Sequence, residues 1–110
     1  MQSSFEDIIK ELIIFRNERN WGQFHNAKDL ALAISIEAAE LNELFLWKNP
    51  DEANPEKVRE ELADIICFAL LLAEKYGFNV EEIVKEKIKI NSQKYPVEKA
   101  RGTAKKYNDL

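Results

Sequence analysis

Residues 55–76 read PEKVREELADIICFALLLAEKY, and this stretch decides the fold. Asn54 precedes it as a candidate helix cap, proline suits the first helical position, and Gly77 suits a helix end. From Ile65 to Ala73 the residues are apolar on every face of a helix, so this helix has to be buried on all sides. The pattern predicts a long central helix, the third of the chain.

Three more helices are predicted around it. With only three glycines and three prolines in 110 residues, the sequence favours long helices over a many-stranded sandwich. Capping residues and helical apolar spacing place these helices at residues 4–19, 27–47 and 80–94, with loops between them and an irregular basic tail at 97–110. We predict an all-α fold, a four-helix bundle in a single domain of residues 1–110.

The apolar central helix also bears on assembly. Four helices of this size leave one face of it uncovered, which favours a homo-oligomer. The alternative is a central helix wrapped by its own three neighbours and the tail.

Composition limits the compartment and the partners. The N-terminal residues lack a signal-peptide pattern, no apolar run is long enough for a membrane span, and Cys67 is the only cysteine. We therefore predict a cytoplasmic protein without a membrane partner.

The net charge is -4, yet residues 85–110 hold eight basic against three acidic side chains. Overall acidity argues against nucleic acid as a partner and favours a smaller anion such as a phosphate chain.

Four carboxylates on the second and third helices form a candidate metal site. The second helix has a continuous stripe, and Glu37 occupies a position in it that the pattern reserves for an apolar side chain: Leu30, Ile34, Glu37, Leu41 and Leu44. Glu40 follows at i+3, and Glu61 and Asp64 repeat that spacing on the third helix. Like charges beside apolar neighbours are unfavourable unless a cation lies between them, and hard oxygen ligands suit Mg²⁺ or Mn²⁺. We predict all four as metal ligands.

Two alternatives accompany this interpretation. An isolated Glu-x-x-Glu is common on solvated helices, and four other acids are interpreted in that way: Glu43, Glu56, Glu60 and Glu74. A di-iron carboxylate bundle also uses paired acids, but it requires Glu-x-x-His. The only histidine, His25, falls in a loop, so that option recedes.

Basic and aromatic side chains complete the candidate site. Lys87, Asn91 and Lys94 share one face of the fourth helix, and Arg101 follows in the tail, so they can contact phosphates or a sugar. Aromatic residues that can stack on a nucleobase stand near the acids in sequence: Trp21, Phe24, His25 and Trp47. The alternatives are solubilising lysines and tryptophans that plug the end of a bundle.

Glu37-Ala-Ala-Glu40, twenty further residues and Glu61-Leu-Ala-Asp64 resemble the ExxE…ExxD signature of the MazG-type all-α nucleotide pyrophosphohydrolases. Further segments resemble the dCTP pyrophosphatase branch of that family: FRNERNWGQFH at 15–25, ELNELFLWK at 40–48, INSQKYP at 90–96 and ARGTAKKY at 100–107. The resemblance implies hydrolysis of a (deoxy)nucleoside triphosphate to the monophosphate and pyrophosphate. It also implies a tetramer, a dimer of dimers with sites between subunits.

The resemblance assigns roles by position. Glu37, Glu40, Glu61 and Asp64 become the Mg²⁺ ligands, with Glu37 or Glu40 as an alternative general base. We predict Glu37, Glu40 and Lys87 as catalytic. The predicted substrate-binding residues are Trp21, His25, Trp47, Phe68, Lys87, Asn91, Lys94 and Arg101.

The base preference is less constrained than the reaction. Mammalian relatives carry histidine where Leu12 stands and tyrosine where Phe68 stands, and each change removes a polar contact near the base. A catalytically silent nucleotide-binding oligomer or interaction module is a second hypothesis. Phosphoribosyl-ATP pyrophosphohydrolase is a third, which the Trp-containing segments fit poorly.

Overall fold

The computed structural model describes residues 4–110, and within that range the chain is all-helical with no strand. It forms two compact units, one ending at Phe78 and the other beginning at Asn79. In chain order the α-helices are α1 (Phe5–Glu18), α2 (Ala27–Glu43), α3 (Pro55–Lys75), α4 (Val80–Lys94) and α5 (Val97–Ala100). Two 3-10 helices, Trp21–Phe24 and Tyr107–Asp109, lie between α1 and α2 and at the C-terminus. The all-α prediction is confirmed.

Each of the four long helices begins at a side-chain cap. Ser4 accepts from the Asp7 N–H, and the Asp7 carboxylate accepts from the Ser4 N–H in return. The other three caps are asparagines whose side-chain oxygens accept first-turn N–H groups: Asn26, Asn54 and Asn79. These bonds satisfy backbone donors that have no partner inside the helix, which is why the starts agree with the sequence prediction. The sequence offers Ser3 as well as Ser4 as a cap for the first helix, and Ser3 lies outside the described residues.

The end of the second helix and the tail differ from the prediction. The second helix was expected to reach Trp47, but α2 ends at Glu43 and the chain continues through tight turns. In these turns Leu44, Phe45 and Leu46 donate to the carbonyl three residues back instead of four. The tail is also more ordered than predicted, since it contains α5 and the second 3-10 helix.

The core of the first unit lies between α2 and α3, which pack along each other more extensively than α1 packs on α3. Leu30 of α2 and Leu70, Leu71 and Ala73 of α3 are buried. The N-terminal half of α3 is covered on one side only. This pairing sets the register in which the acids of the two helices meet.

The expected all-round burial of residues 65–73 does not occur within one chain. Ile66 is 46% exposed, and Leu62, one turn earlier, is 47% exposed. Both line an open groove of about 630 Å³, to which Phe45 and Val58 also contribute. Among the helices of residues 4–110, none combines the length and apolar character that a membrane crossing needs.

Candidate functional site

The pairing of α2 and α3 brings three carboxylates together. Glu37 of α2 and Glu61 and Asp64 of α3 each offer one oxygen, and these three oxygens lie within 4.8 Å of one another. Glu37 and Glu61 are half-buried, whereas Asp64 is exposed. An ion placed among the three oxygens would therefore contact protein on one side and face solvent or substrate on the other.

The neighbouring carboxyl groups act on the pKa of Glu37. Its pKa is raised to about 7. The largest cause is the neighbouring Glu61 carboxyl group, which favours the protonated form of Glu37, followed by burial and by Glu40, and the negative charges of both neighbours add to the effect. The cluster therefore favours the protonated form of Glu37 up to about neutral pH. Glu40 is exposed and borders Glu37 on the solvent side.

The carboxylates fit a divalent cation. Glu37 Oε2 and Glu61 Oε2 are buried and have no hydrogen-bond partner. Such oxygens are costly unless a proton or a cation satisfies them, and an all-oxygen donor set suits Mg²⁺ or Mn²⁺. Glu37, Glu61 and Asp64 can hold the ion together, with Glu40 at the edge as a fourth ligand or as a base.

An aromatic wall adjoins the acidic end of α3. Phe68 stands one turn after Asp64, and its ring centroid lies 6.4 Å from that of His25. The His25 ring in turn lies 6.4 Å from Trp21, which contacts Phe15 edge-on at 5.7 Å. Three predicted substrate-binding residues, Trp21, His25 and Phe68, are thus brought into one cluster, with faces available for stacking.

The sequence pattern of the MazG-like family matches residues 32–110, which includes all four acids. The chain belongs to the MazG-like family. It is 37% identical to dCTP pyrophosphatase 1 of Mus musculus and 34% identical to that of Homo sapiens, each over 99% of this chain and 69% of the relative. A pyrophosphatase of Archaeoglobus fulgidus superposes with a TM-score of 0.80 at 36% identity, over 87% of this chain and 95% of the other. The predicted resemblance to the dCTP pyrophosphatase branch is confirmed.

Within this MazG-like chain, Trp47 stands apart from the aromatic wall. Its side chain is 99% exposed, and its backbone is left-handed, with φ of 62°. A left-handed backbone is unfavourable for a residue with a bulky side chain and is often retained for function. The Trp47 ring is therefore exposed on the surface of the first unit.

The predicted phosphate-binding residues all belong to the second unit. Lys87 and Asn91 share an open groove of about 450 Å³ on α4 with Ile83, Val84 and Ile88. Lys94 Nζ lies 4.8 Å from the centre of the Tyr107 ring, a cation–π contact. Arg101 is exposed at the end of α5, where its N–H donates to Val97 O.

The ion pair between Arg16 and Glu74 was not predicted from the sequence. Glu74, expected on the surface, instead points a buried Oε2 at Nη1 of Arg16, 3.6 Å away. The signal for Arg16 was present, because it continues the inward face of α1 formed by Ile9, Leu12 and Ile13. Phe15, by contrast, is exposed, and the Arg19 guanidinium stacks on its ring.

Proposed function

We propose that this protein hydrolyses (deoxy)nucleoside triphosphates to the monophosphate and pyrophosphate in a reaction that depends on Mg²⁺, with Mn²⁺ as a substitute. That the chain is a nucleoside triphosphate pyrophosphohydrolase rests on its family and on relatives that are themselves named pyrophosphatases. The metal dependence rests on one observation, the two buried and unpartnered oxygens of Glu37 and Glu61 beside Asp64. A purely structural bundle would be more stable with apolar residues at these positions.

The four carboxylates divide the work. Glu37, Glu61 and Asp64 hold the ion, and Mg²⁺ bound there supplies charge neutralisation of the triphosphate and lowers the pKa of water. Glu40, exposed beside Glu37, orients a water for in-line attack at the α-phosphorus and accepts its proton. Glu37 is the alternative base, since its carboxylate lies in the same cluster as Glu61 and Asp64 and borders Glu40.

Binding of the nucleotide is assigned to two sets of residues. Trp21, His25 and Phe68 form a wall on which the base stacks, and the exposed Trp47 supplies a second aromatic face. Lys87, with a catalytic role in charge neutralisation, acts on the phosphates together with Asn91, Lys94 and Arg101. We propose dCTP or a modified dCTP as the substrate, on the strength of the dCTP pyrophosphatase relatives, and removal of unwanted nucleotides as the role.

We further propose a homotetramer, a dimer of dimers, of one-domain chains in the cytoplasm. The support for assembly is the apolar surface that one chain leaves open at Leu62 and Ile66. The support for a reducing compartment is the single free cysteine, Cys67.

The decisive experiment measures pyrophosphate release from a panel of ribo- and deoxyribonucleoside triphosphates with Mg²⁺ and with EDTA. We expect turnover that EDTA abolishes. Glu61→Gln should lower kcat by about a hundredfold or more, because one metal ligand is lost. Glu60→Gln, the same change on the adjacent exposed acid, should retain wild-type kcat.

The same experiment separates the enzyme from a silent nucleotide-binding module. A silent module would bind a triphosphate without releasing pyrophosphate, and neither Glu61→Gln nor Glu40→Gln would change its behaviour. Absence of turnover with every triphosphate in the panel would refute the proposed function.

A further inference from the structure

Arg16 and Glu74 form a poorly solvated ion pair between α1 and α3. The Arg16 side chain is 12% exposed and that of Glu74 is 34% exposed, and their closest atoms, Nη1 and Oε2, lie 3.6 Å apart. That distance is too long for a hydrogen bond, and neither atom has another hydrogen-bond partner. Pairs of this kind stabilise a fold weakly, because desolvation offsets the attraction. The pair therefore invites a functional explanation.

The Arg16 side chain supports the short helix that carries Trp21. A Cβ built on Gly22 would lie 3.6 Å from Arg16 Nε and 3.9 Å from its Cδ, so the arginine side chain occupies the space beside Gly22 in the Trp21–Phe24 helix. The backbone N–H of His25 donates to Gly22 O at 3.2 Å, so the residue that carries the imidazole ring is hydrogen-bonded to this helix. Loss of the Arg16 side chain would thus remove a neighbour of the segment that carries both Trp21 and His25.

His25 responds to the charges around it. Its Nδ1 is buried without a hydrogen-bond partner, and its pKa is lowered, first by burial and then by the positive charges of Arg16 on α1 and Lys75 on α3. Glu74 on α3 carries the opposing charge, next to Arg16. The acid in the first turn of α2, Asp29, is engaged by the Asn26 amide. Burial and the positive charges of Arg16 and Lys75 therefore favour the neutral form of the ring between Trp21 and Phe68.

We propose that Arg16, anchored by Glu74, is a positioning residue that holds the Trp21–Phe24 helix and the His25 ring in place as one wall of the nucleobase pocket. The proposal deepens the proposed function and rests on it. A neutral, fixed imidazole offers the base a flat stacking surface without a competing charge, whereas a cationic ring would attract phosphate to the base end of the site.

A tag-free protein gives an unambiguous test, because His25 is the only histidine. Its titration is followed by NMR in wild type, in Arg16→Met, which removes the charge but keeps an unbranched side chain, and in Arg16→Lys. We expect the pKa of His25 to rise by roughly half a unit or more in Arg16→Met and to stay near wild type in Arg16→Lys. Lys10→Met, the matched loss of an exposed charge on the same helix, should leave it unchanged.

Kinetics separate positioning from catalysis. Arg16→Met should raise KM for the preferred triphosphate about fivefold and change kcat by less than about twofold, and Arg16→Lys should recover most of the KM. A His25 titration and a KM that match Lys10→Met would overturn the proposal.

Glu74→Gln provides a second variant if Arg16→Met does not fold. It should also raise KM, because the anchor is lost, but it should not raise the pKa of His25, because Arg16 keeps its charge. An unchanged KM in Glu74→Gln would refute the anchoring role. If wild type hydrolyses no triphosphate, the proposed function fails, while the His25 titration still reports whether Arg16 controls the ring.

Discussion

Glu37 shows at the scale of one residue how the site is built. It stands in an inward stripe of α2 next to Glu61, and its pKa of about 7 reflects the neighbouring carboxyl groups and its burial. In the unfolded chain these acids separate and the pKa returns to its ordinary value of 4.5. The folded state therefore binds more protons than the unfolded state between these two values, so the free energy of unfolding falls as the pH rises through that window.

This sign gives a stability prediction. In EDTA, wild type should melt at a lower temperature at pH 8 than at pH 5.5, in part because Glu37 must ionise beside Glu61. Glu37→Gln cannot ionise, so its Tm should exceed that of wild type at pH 8 and show a smaller fall with pH. Differential scanning calorimetry at both pH values measures this. Glu60→Gln serves as the control, and an equal pH dependence in wild type and Glu37→Gln would contradict the prediction.

Metal binding should be coupled to the same proton. Mg²⁺ has to displace the proton that Glu37 carries below a pKa of about 7, so the Kd for Mg²⁺ should be several-fold larger at pH 6 than at pH 8. Isothermal titration calorimetry in two buffers of different ionisation enthalpy would detect the released proton. A pH-independent Kd would mean that the ion binds elsewhere.

Local sequence patterns reveal the acids of the site but not the Arg16–Glu74 pair. The acids were visible because i, i+3 pairs on apolar stripes are a local pattern. The Arg16–Glu74 pair joins two helices that are far apart in the sequence, and no spacing rule connects positions 16 and 74. Glu74 looked like an ordinary surface acid, since burial by another helix leaves no local signature.

Among the secondary-structure elements, the end of α2 has a consequence for the stability of the fold. The chain leaves the helix after Glu43 and reaches Trp47 with a left-handed backbone. A non-glycine residue in this conformation costs on the order of 1 kcal/mol, and the exposed Trp47 ring recovers none of that cost through packing within the chain.

Trp47→Gly should therefore raise the free energy of unfolding of the isolated chain by about 0.5–1 kcal/mol while weakening nucleotide binding. Urea denaturation gives the stability, and KM for the preferred triphosphate gives the binding. Trp47→Asn, which tolerates the left-handed region, should show the same pair of effects with a smaller gain in stability. A loss of stability in both variants would contradict the assignment of an unpacked ring.

Helix starts could be predicted from the sequence more closely than helix ends. Ser4, Asn26, Asn54 and Asn79 act through their own side chains on the next few N–H groups, so a local pattern suffices. The end of α2 is set by a series of tight turns with no glycine or proline to announce it. α5 and the final 3-10 helix are too short for periodicity to reveal.

In the whole molecule, α3 leaves an apolar surface exposed to solvent. Leu62 and Ile66 remain almost half exposed beside the groove that Phe45 and Val58 help to line. The sequence predicted a helix that needs covering on every face, and a single chain does not provide the cover. Periodicity shows that a face is apolar but does not show what buries it, so the all-α fold could be predicted and the assembly could only be inferred.

Ile66→Glu should break the proposed tetramer into smaller species, because it places a charge in the uncovered apolar face. Size-exclusion chromatography with multi-angle light scattering measures the mass. Ile14→Glu, which changes an exposed isoleucine of α1, is the matched control and should keep the wild-type mass. A monomeric wild type would refute the tetramer, and a tetrameric Ile66→Glu would exclude this face from the interface.

The unusual placement of Trp47 also gives the protein an optical reporter. A fully hydrated indole emits at long wavelength, so any surface that closes over this ring should shift its emission to the blue. Trp21, already packed against Phe15 and His25, is the only other indole in the chain. A Trp21→Phe protein would carry a single fluorophore, and its emission would follow the closing of the ring's surroundings in real time, without a label.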